Sequence, residues 1–254
     1  MKLKAFFLLS ALLISISDPG RASSQQPTPA QQGIALLQNS LAAQTGSIVI
    51  SDITLTGTVR SIAGSDDEAG TATLKALASN AVRLEFDLPS GQHTEVRDLS
   101  GSSPSGTWAG PDRRSHSIAY HNLLSEPIWF APVLAVAQAL SGTGYVVTYV
   151  GHETIGSEDV EHVTVCQQPS APSNDAPFVE HLTQVDIYVD SSTLLPAALK
   201  FNIHPDRDAG LDIPVEVRYS DYRTVSTAHV PFHVQRYLNN GLVLDLQFQT
   251  VTLN

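Results

Sequence analysis

Ala81-Val-Arg-Leu-Glu-Phe-Asp-Leu88 sets how the rest of the chain is read. Val82, Leu84, Phe86 and Leu88 alternate with Arg83, Glu85 and Asp87, so the apolar side chains share one face. A period of two is the mark of a strand with one dry face. The same alternation returns at 213–219, with Glu216 and Arg218 outward. It returns again at 242–249, where Leu242, Leu244, Leu246 and Phe248 alternate with Val243, Asp245, Gln247 and Gln249. Further segments of this kind lie at 47–60, 71–78, 92–99, 115–121, 144–151, 158–167, 179–190, 194–204 and 228–237. Together they predict about twelve strands at the spacing of an all-β domain. Ser79-Asn80, Pro89-Ser90-Gly91, Asp190-Ser191-Ser192 and Asn239-Asn240-Gly241 supply tight turns between them. Asn and Gly accept the positive φ that such turns demand, and short turns make neighbouring strands antiparallel. Longer breaks are expected at 61–70, 100–114 and 168–177. None of them reads as an interdomain linker, because the alternation resumes unchanged on either side.

Two segments depart from the period of two. Thr28, Pro29 and Gln31 form a helix start: a capping Thr, Pro in the first position, and Gln three residues on to reach back. Ile34, Leu37 and Leu41 follow at helical spacing, and Gly46 ends the helix. The second segment, 128–140, is Ile-Trp-Phe-Ala-Pro-Val-Leu-Ala-Val-Ala-Gln-Ala-Leu, with Gln138 as its one polar side chain. A helix that is apolar all round must be buried on most faces. Pro132 forces a kink or a restart in it. It belongs on the concave side of the sheet or across a barrel mouth, as a core plug or as a lid over an apolar cavity.

Composition bounds the partners. The chain of 254 residues carries 14 Lys+Arg against 25 Asp+Glu, a net charge of −11, and 42% hydrophobic residues. That apolar content excludes wholesale disorder. An acidic chain without a basic run is a poor nucleic-acid binder, since phosphate contacts dominate that affinity. A single cysteine, Cys166, excludes a disulfide framework, a multi-cysteine zinc site and an iron–sulfur cluster.

The first residues read as an export signal. Lys2 and Lys4 precede an apolar run over 5–16, then Asp18-Pro19-Gly20 and the small residues Ala22, Ser23 and Ser24. The run is too short to span a bilayer, and no later stretch is long enough. Cleavage is expected near Ser24, which takes the net charge from −11 to −13 through loss of Lys2, Lys4, Arg21 and Asp18. The expected organisation is therefore a signal peptide at 1–24, a disordered lead at 25–32 and a single domain at 33–254. The expected location is the periplasm or the outside, with no cysteine near the leader to carry a lipid anchor. Cys166 is expected to be a buried thiol on a strand.

The search for chemistry finds no catalytic set. Gly101-Ser-Ser-Pro-Ser105-Gly106 has the wrong glycine spacing for a nucleophile elbow. His152-Glu153 lacks the second histidine of a zincin helix. No phosphate loop or dinucleotide fingerprint is present, and no cofactor is expected. One loop crowds His204, Asp206, Asp208 and Asp212 (HPDRDAGLD) and superficially suggests calcium, although the bidentate glutamate of a helix–loop–helix site is missing. The plainer reading is a solvated turn.

The C-terminal third carries a family resemblance. Val185-Asp-Ile-Tyr-Val-Asp190 with Leu194-Leu-Pro196, then 215–222 ending in Ser220-Asp-Tyr222, then Val230-Pro-Phe-His-Val234 and the closing Val251-Thr-Leu-Asn254 resemble the second half of the LolA/LolB-like periplasmic lipoprotein-carrier superfamily. The first half is compatible: a leading helix, Gly57-Thr-Val59, Gly70-Thr-Ala-Thr-Leu74, Val82-Arg-Leu-Glu-Phe86, then the apolar 128–140 segment. The resemblance implies a mainly β fold, a strongly curved antiparallel unclosed barrel of about 11–12 strands, with an N-terminal helix and an apolar lid or plug helix over a cavity. It makes Trp129, Phe130, Leu134 and Leu140 cavity or lid candidates, with Phe86, Phe201, Phe232 and Phe248 as inward-facing companions.

Three functions then compete. The first is a non-enzymatic carrier of a lipid, acyl chain or lipidated protein. The second is an interaction or sensor module of the same fold that binds another envelope protein and has a filled core. The third is a metal-dependent enzyme, which requires His204, Asp206, Asp208 and Asp212 to converge.

Overall fold

The computed structural model describes residues 26–254 except 101–102, 142–143 and 170–173, so the expected signal peptide lies outside the described residues. Helix α1 (Pro29–Thr45) opens the described chain. Its start is the capping box read from the sequence: Thr28 Oγ1 accepts from the Gln31 N–H at 3.2 Å, and the Thr28 N–H donates to Gln31 Oε1 at 2.9 Å. Residues 29–32, assigned to the lead by composition, form its first turn. Gly46 ends it at φ 60°. The buried face differs from the expected Ile34–Leu37–Leu41 stripe. It is Gly33, Leu37, Ser40 and Gln44, and Ile34 is 40% exposed. Gly33 explains the rotation: a Cβ there would stand 3.0 Å from the Tyr149 backbone nitrogen, so the helix lies against the sheet by its smallest side chain.

Thirteen strands follow: β1 (Asp52–Ala63), β2 (Asp66–Leu77), β3 (Ala81–Leu88), β4 (Gly91–Asp98), β5 (Ser105–Ala109), β6 (Ser115–Ser117), β7 (Tyr145–Ile155), β8 (Glu158–Gln167), β9 (Val185–Asp190), β10 (Pro196–Ile203), β11 (Ile213–Val225), β12 (Ala228–Leu238) and β13 (Gly241–Leu253). Between β6 and β7 lie α2 (Tyr120–Ser125) and α3 (Pro132–Ala139), and α4 (Ala176–Leu182) precedes β9. All the strands join one antiparallel sheet in the order β6-β5-β4-β3-β2-β1-β13-β12-β11-β10-β9-β8-β7. The chain ends pair in the middle, β1 with β13, and the sheet does not close. Gly57 marks a bulge in that central pair, where a Cβ would meet the Gln247 carbonyl oxygen at 2.1 Å.

Alternation places the core. Ile53, Leu55, Leu74, Leu84, Val217, Leu246 and Phe248 are all under 4% exposed and point into the concave side. Asn239 and Asn240 sit at φ 47° and 64°, as a two-residue hairpin turn between β12 and β13 requires. The Asp190 carboxylate closes the β9–β10 turn by accepting from the backbone N–H groups of Ser192 and Thr193.

The breaks are shorter than expected. Residues 61–70 are a hairpin: Ala63 pairs Asp66, Ile62 pairs Asp67, and Gly64 turns the chain at φ 63°. The acidic side chains of Asp66, Asp67 and Glu68 imitate a loop in the sequence but open a strand at the solvated end of the hairpin, where Asp66 and Asp67 are exposed and Glu68 is half-buried. The 100–114 break contains β5. The expected strand at 115–121 stops at Ser117, and the expected strand at 179–190 begins as α4. The apolar 128–140 segment is a helix only from Pro132, which takes the first helical position, so the proline restarts the helix as expected. No helix among the described residues is long and apolar enough to cross a membrane.

Candidate functional site

The curl of the sheet brings its distant parts together. Val82 on β3 and Arg97 on β4 line the same cavity as Val165 on β8 and Ile187 on β9, strands from opposite arms of the sheet. Leu123, Leu124 and Ser125 of α2 and Ala135, Gln138 and Ala139 of α3 cover it. Its volume is about 280 Å³, close to the lower end of small-ligand sites.

The walls are mostly aliphatic, and one end is polar. Val82 and Arg97 are paired directly across β3 and β4, so their side chains share a face, and Val82 points inward. The alternation of β4 is therefore inverted: Val96 is 37% exposed, while the Arg97 side chain is 2% exposed. Arg97 Nη1 donates to the Glu126 carbonyl at 2.9 Å, which fixes the linker between α2 and α3. Its Nε lies 2.9 Å from Glu95 Oε1, without hydrogen-bond alignment. The Glu126 carboxylate accepts from Arg236 Nη1 at 2.7 Å and stands 3.8 Å from Arg97 Nη1. Burial pushes the Glu126 carboxyl up, but Arg236 and Arg97 outweigh it and hold the group below the ordinary range. Glu95 goes the other way: burial, helped by the Glu126 charge, pushes it up against the pull of Arg97. One carboxylate is thus firmly charged and the other resists ionising.

Arg97 Nη2 and Ser125 Oγ, both buried, find no hydrogen-bond partner among the described residues, and both residues line the cavity. Buried donors of this kind each cost about 1–3 kcal/mol if nothing meets them. At the other wall Gln138 Nε2 and Gln167 Nε2 both donate to Tyr145 Oη, at 2.7 and 3.1 Å, tying α3 to the β7–β8 hairpin. The lining holds neither histidine nor cysteine, and Ser125 has no base within reach among the described residues.

The eight residues singled out from the sequence distribute differently. Trp129, Phe130, Leu134, Phe201, Phe232 and Phe248 lie in the core, each under 8% exposed, with Phe86 and Leu140 packed against it. None of the eight lines the cavity under α2 and α3. Trp129 and Phe86 line a second hollow of about 270 Å³ with Glu95, Trp108 and Arg236, and Phe201 lines a third on another side. The polar residues of the cavity under α2 and α3 were missed, although the out-of-phase Val96 and Arg97 in β4 were a signal for one of them. Of the acidic loop, Asp208 Oδ1 caps the Gly210 N–H, and Asp206 and Asp208 join no cluster of potential metal ligands among the described residues; His204 and Asp212 do meet. Cys166 is half-buried on β8, not fully buried as expected, and burial together with Glu180 pushes its thiol up.

No protein-family model matches the sequence, and no curated protein is significantly similar to it. Solved structures do match. An outer-membrane lipoprotein-sorting protein domain from Vibrio parahaemolyticus aligns at 15% identity over 89% of this chain and 93% of its own, with a TM-score of 0.55. A LolA superfamily protein from Nitrosomonas europaea aligns at 13% identity over 87% and 93%, TM-score 0.54. A DUF1329 family protein from Desulfovibrio piger aligns at 10% identity over 90% and 94%, TM-score 0.54. An unclosed antiparallel sheet curled under short helices, shared at these scores over nearly the whole described chain, gives this protein a LolA-like fold.

Proposed function

We propose that this chain is an exported, non-enzymatic envelope protein that shelters an amphiphile beneath α2 and α3. Its acyl chain would lie along Val82, Ala135, Ala139, Val165 and Ile187, and its acceptor-bearing head would meet Arg97 and Ser125. The observation that carries this reading is the pairing of an aliphatic cavity with two buried, unpartnered donors at one end. A carboxylate or ester carbonyl fits those donors, and each methylene removed from water contributes about 0.8 kcal/mol. The leader pattern at 1–24 supports export. The fold shared with a lipoprotein-sorting domain supports carriage over catalysis, as does the lack of a nucleophile–base pair in the lining among the described residues.

Filling the cavity tests the reading. Ala139→Phe projects a ring from α3 into the space. Titration with a fluorescent medium-chain fatty acid should show saturable binding to the parent chain and at least a tenfold loss of affinity in the variant, with circular dichroism unchanged. Equal affinity in both would overturn it.

A further inference from the structure

On the far side of α2 the backbone register assembles a second polar group. Ile203 pairs with Ile213 at the ends of β10 and β11, so the next residues along the loop, His204 and Asp212, face each other at its neck. The last turn of α4 delivers His181 to the same point. His181 Nε2 and His204 Nε2 lie 2.9 and 3.1 Å from one oxygen, Asp212 Oδ1. The ligand atoms of all three residues fall within 4.8 Å of one another, and no other set of three or more His, Cys, Asp or Glu does so among the described residues.

We infer that His181, His204 and Asp212 form a binding site for a divalent transition-metal ion of the zinc class, a site separate from the lipid cavity. Zinc bonds of about 2.0–2.2 Å to nitrogen and oxygen in a tetrahedron put neighbouring ligand atoms about 3.4 Å apart. The two His–Asp separations need to open by only a few tenths of an ångström. Two imidazoles select zinc, copper or nickel, whereas calcium and magnesium prefer oxygen ligands alone. The His204 side chain is fully buried and its backbone is held from both sides: the His204 N–H donates to Asn122 Oδ1 at 2.9 Å, and Asn122 Nδ2 donates to the His204 carbonyl at 2.8 Å. His181 and Asp212 are 45% and 41% exposed, which leaves an approach from solvent and room for water as a further ligand. The ion would tie α4 to the β10–β11 loop on which α2 rests, and so stiffen the rim of the cavity.

Chelator-treated chain titrated with Zn²⁺ in a calorimeter should bind one equivalent, and Ca²⁺ should give no signal. A Zn²⁺ concentration of 100 times Kd should raise Tm by about 5 °C or more. His181→Ala, at an exposed helix end, and Asp212→Asn should each weaken Zn²⁺ binding at least tenfold, while Cys166→Ser binds as the parent does. No saturable Zn²⁺ binding, Ca²⁺ binding in its place, loss only in Cys166→Ser, or unchanged affinity in both site variants would overturn the inference.

Discussion

Arg97→Ala is expected to lower the unfolding free energy by about 3–5 kcal/mol, the cost of removing one partner of a buried ion pair. Three contacts go at once. The Glu126 carbonyl loses its donor, the Glu126 carboxylate is left with Arg236 alone, and Glu95 loses the stronger of the two positive charges that pull it toward ionisation. The loss also reaches the cover of the cavity, because Glu126 lies in the linker between α2 and α3. Urea unfolding monitored by tryptophan fluorescence reads the change. For a chain of this length each kcal/mol is about 2–4 °C in Tm, so a fall of roughly 6–20 °C should accompany it. A cost under about 1 kcal/mol would mean that the cluster is solvated and does not fix the linker.

Trp129→Ala should cost about 3–5 kcal/mol for a different reason, a large cavity in a core that cannot collapse around it. Trp129 is 1% exposed and meets Phe130 edge to face at 5.5 Å between centroids. The Arg236 guanidinium stands 4.9 Å above its ring, and Tyr219 Oη donates to its backbone carbonyl. Trp129→Phe keeps an aromatic face for both neighbours and should recover about half of the loss. Urea midpoints of the two variants, measured side by side, test that ordering. Equal destabilisation would show that a smaller aromatic ring does not restore the packing around Arg236 and Phe130.

The strands were legible because their chemistry is local. Ala81–Leu88 states its inward face in its own alternation, and Asn239-Asn240 states its turn. Elements were misread where local composition imitates something else. Asp66, Asp67 and Glu68 look like a loop because a strand with an exposed face accepts acids. Residues 179–182 were read as the start of a strand and Pro177 as the end of a loop, yet proline suits the first turn of a helix as well as it suits a loop. The buried face of α1 turned on Gly33, whose value lies in a contact with Tyr149 that no local pattern announces.

The site was less legible than the fold. Aromatic and aliphatic bulk at 128–140 pointed to the right segment but not to the side chains that meet the cavity. Trp129, Phe130 and Leu134 fill the core, and the smaller Ala135 and Ala139 leave the space. Absence of bulk is a weak sequence signal. Glu126 and Arg236 come together across 110 residues, a pairing that depends on the curl of the whole sheet. The His204–Asp212 contact was foreshadowed by the crowded loop, but its third member, His181, comes from α4, a helix read as strand.

The central claim is that an acyl chain lies between the sheet and α2–α3 with its head at Arg97. The direct measurement is nuclear magnetic resonance on the methyl-labelled chain with a ¹³C-labelled medium-chain fatty acid. Intermolecular contacts are expected from the ligand chain to the methyls of Val82, Ala139 and Ile187, with the labelled carboxyl shifting on binding in the parent and not in Arg97→Met. Contacts confined to exposed surface methyls, or none at saturating ligand, would contradict it.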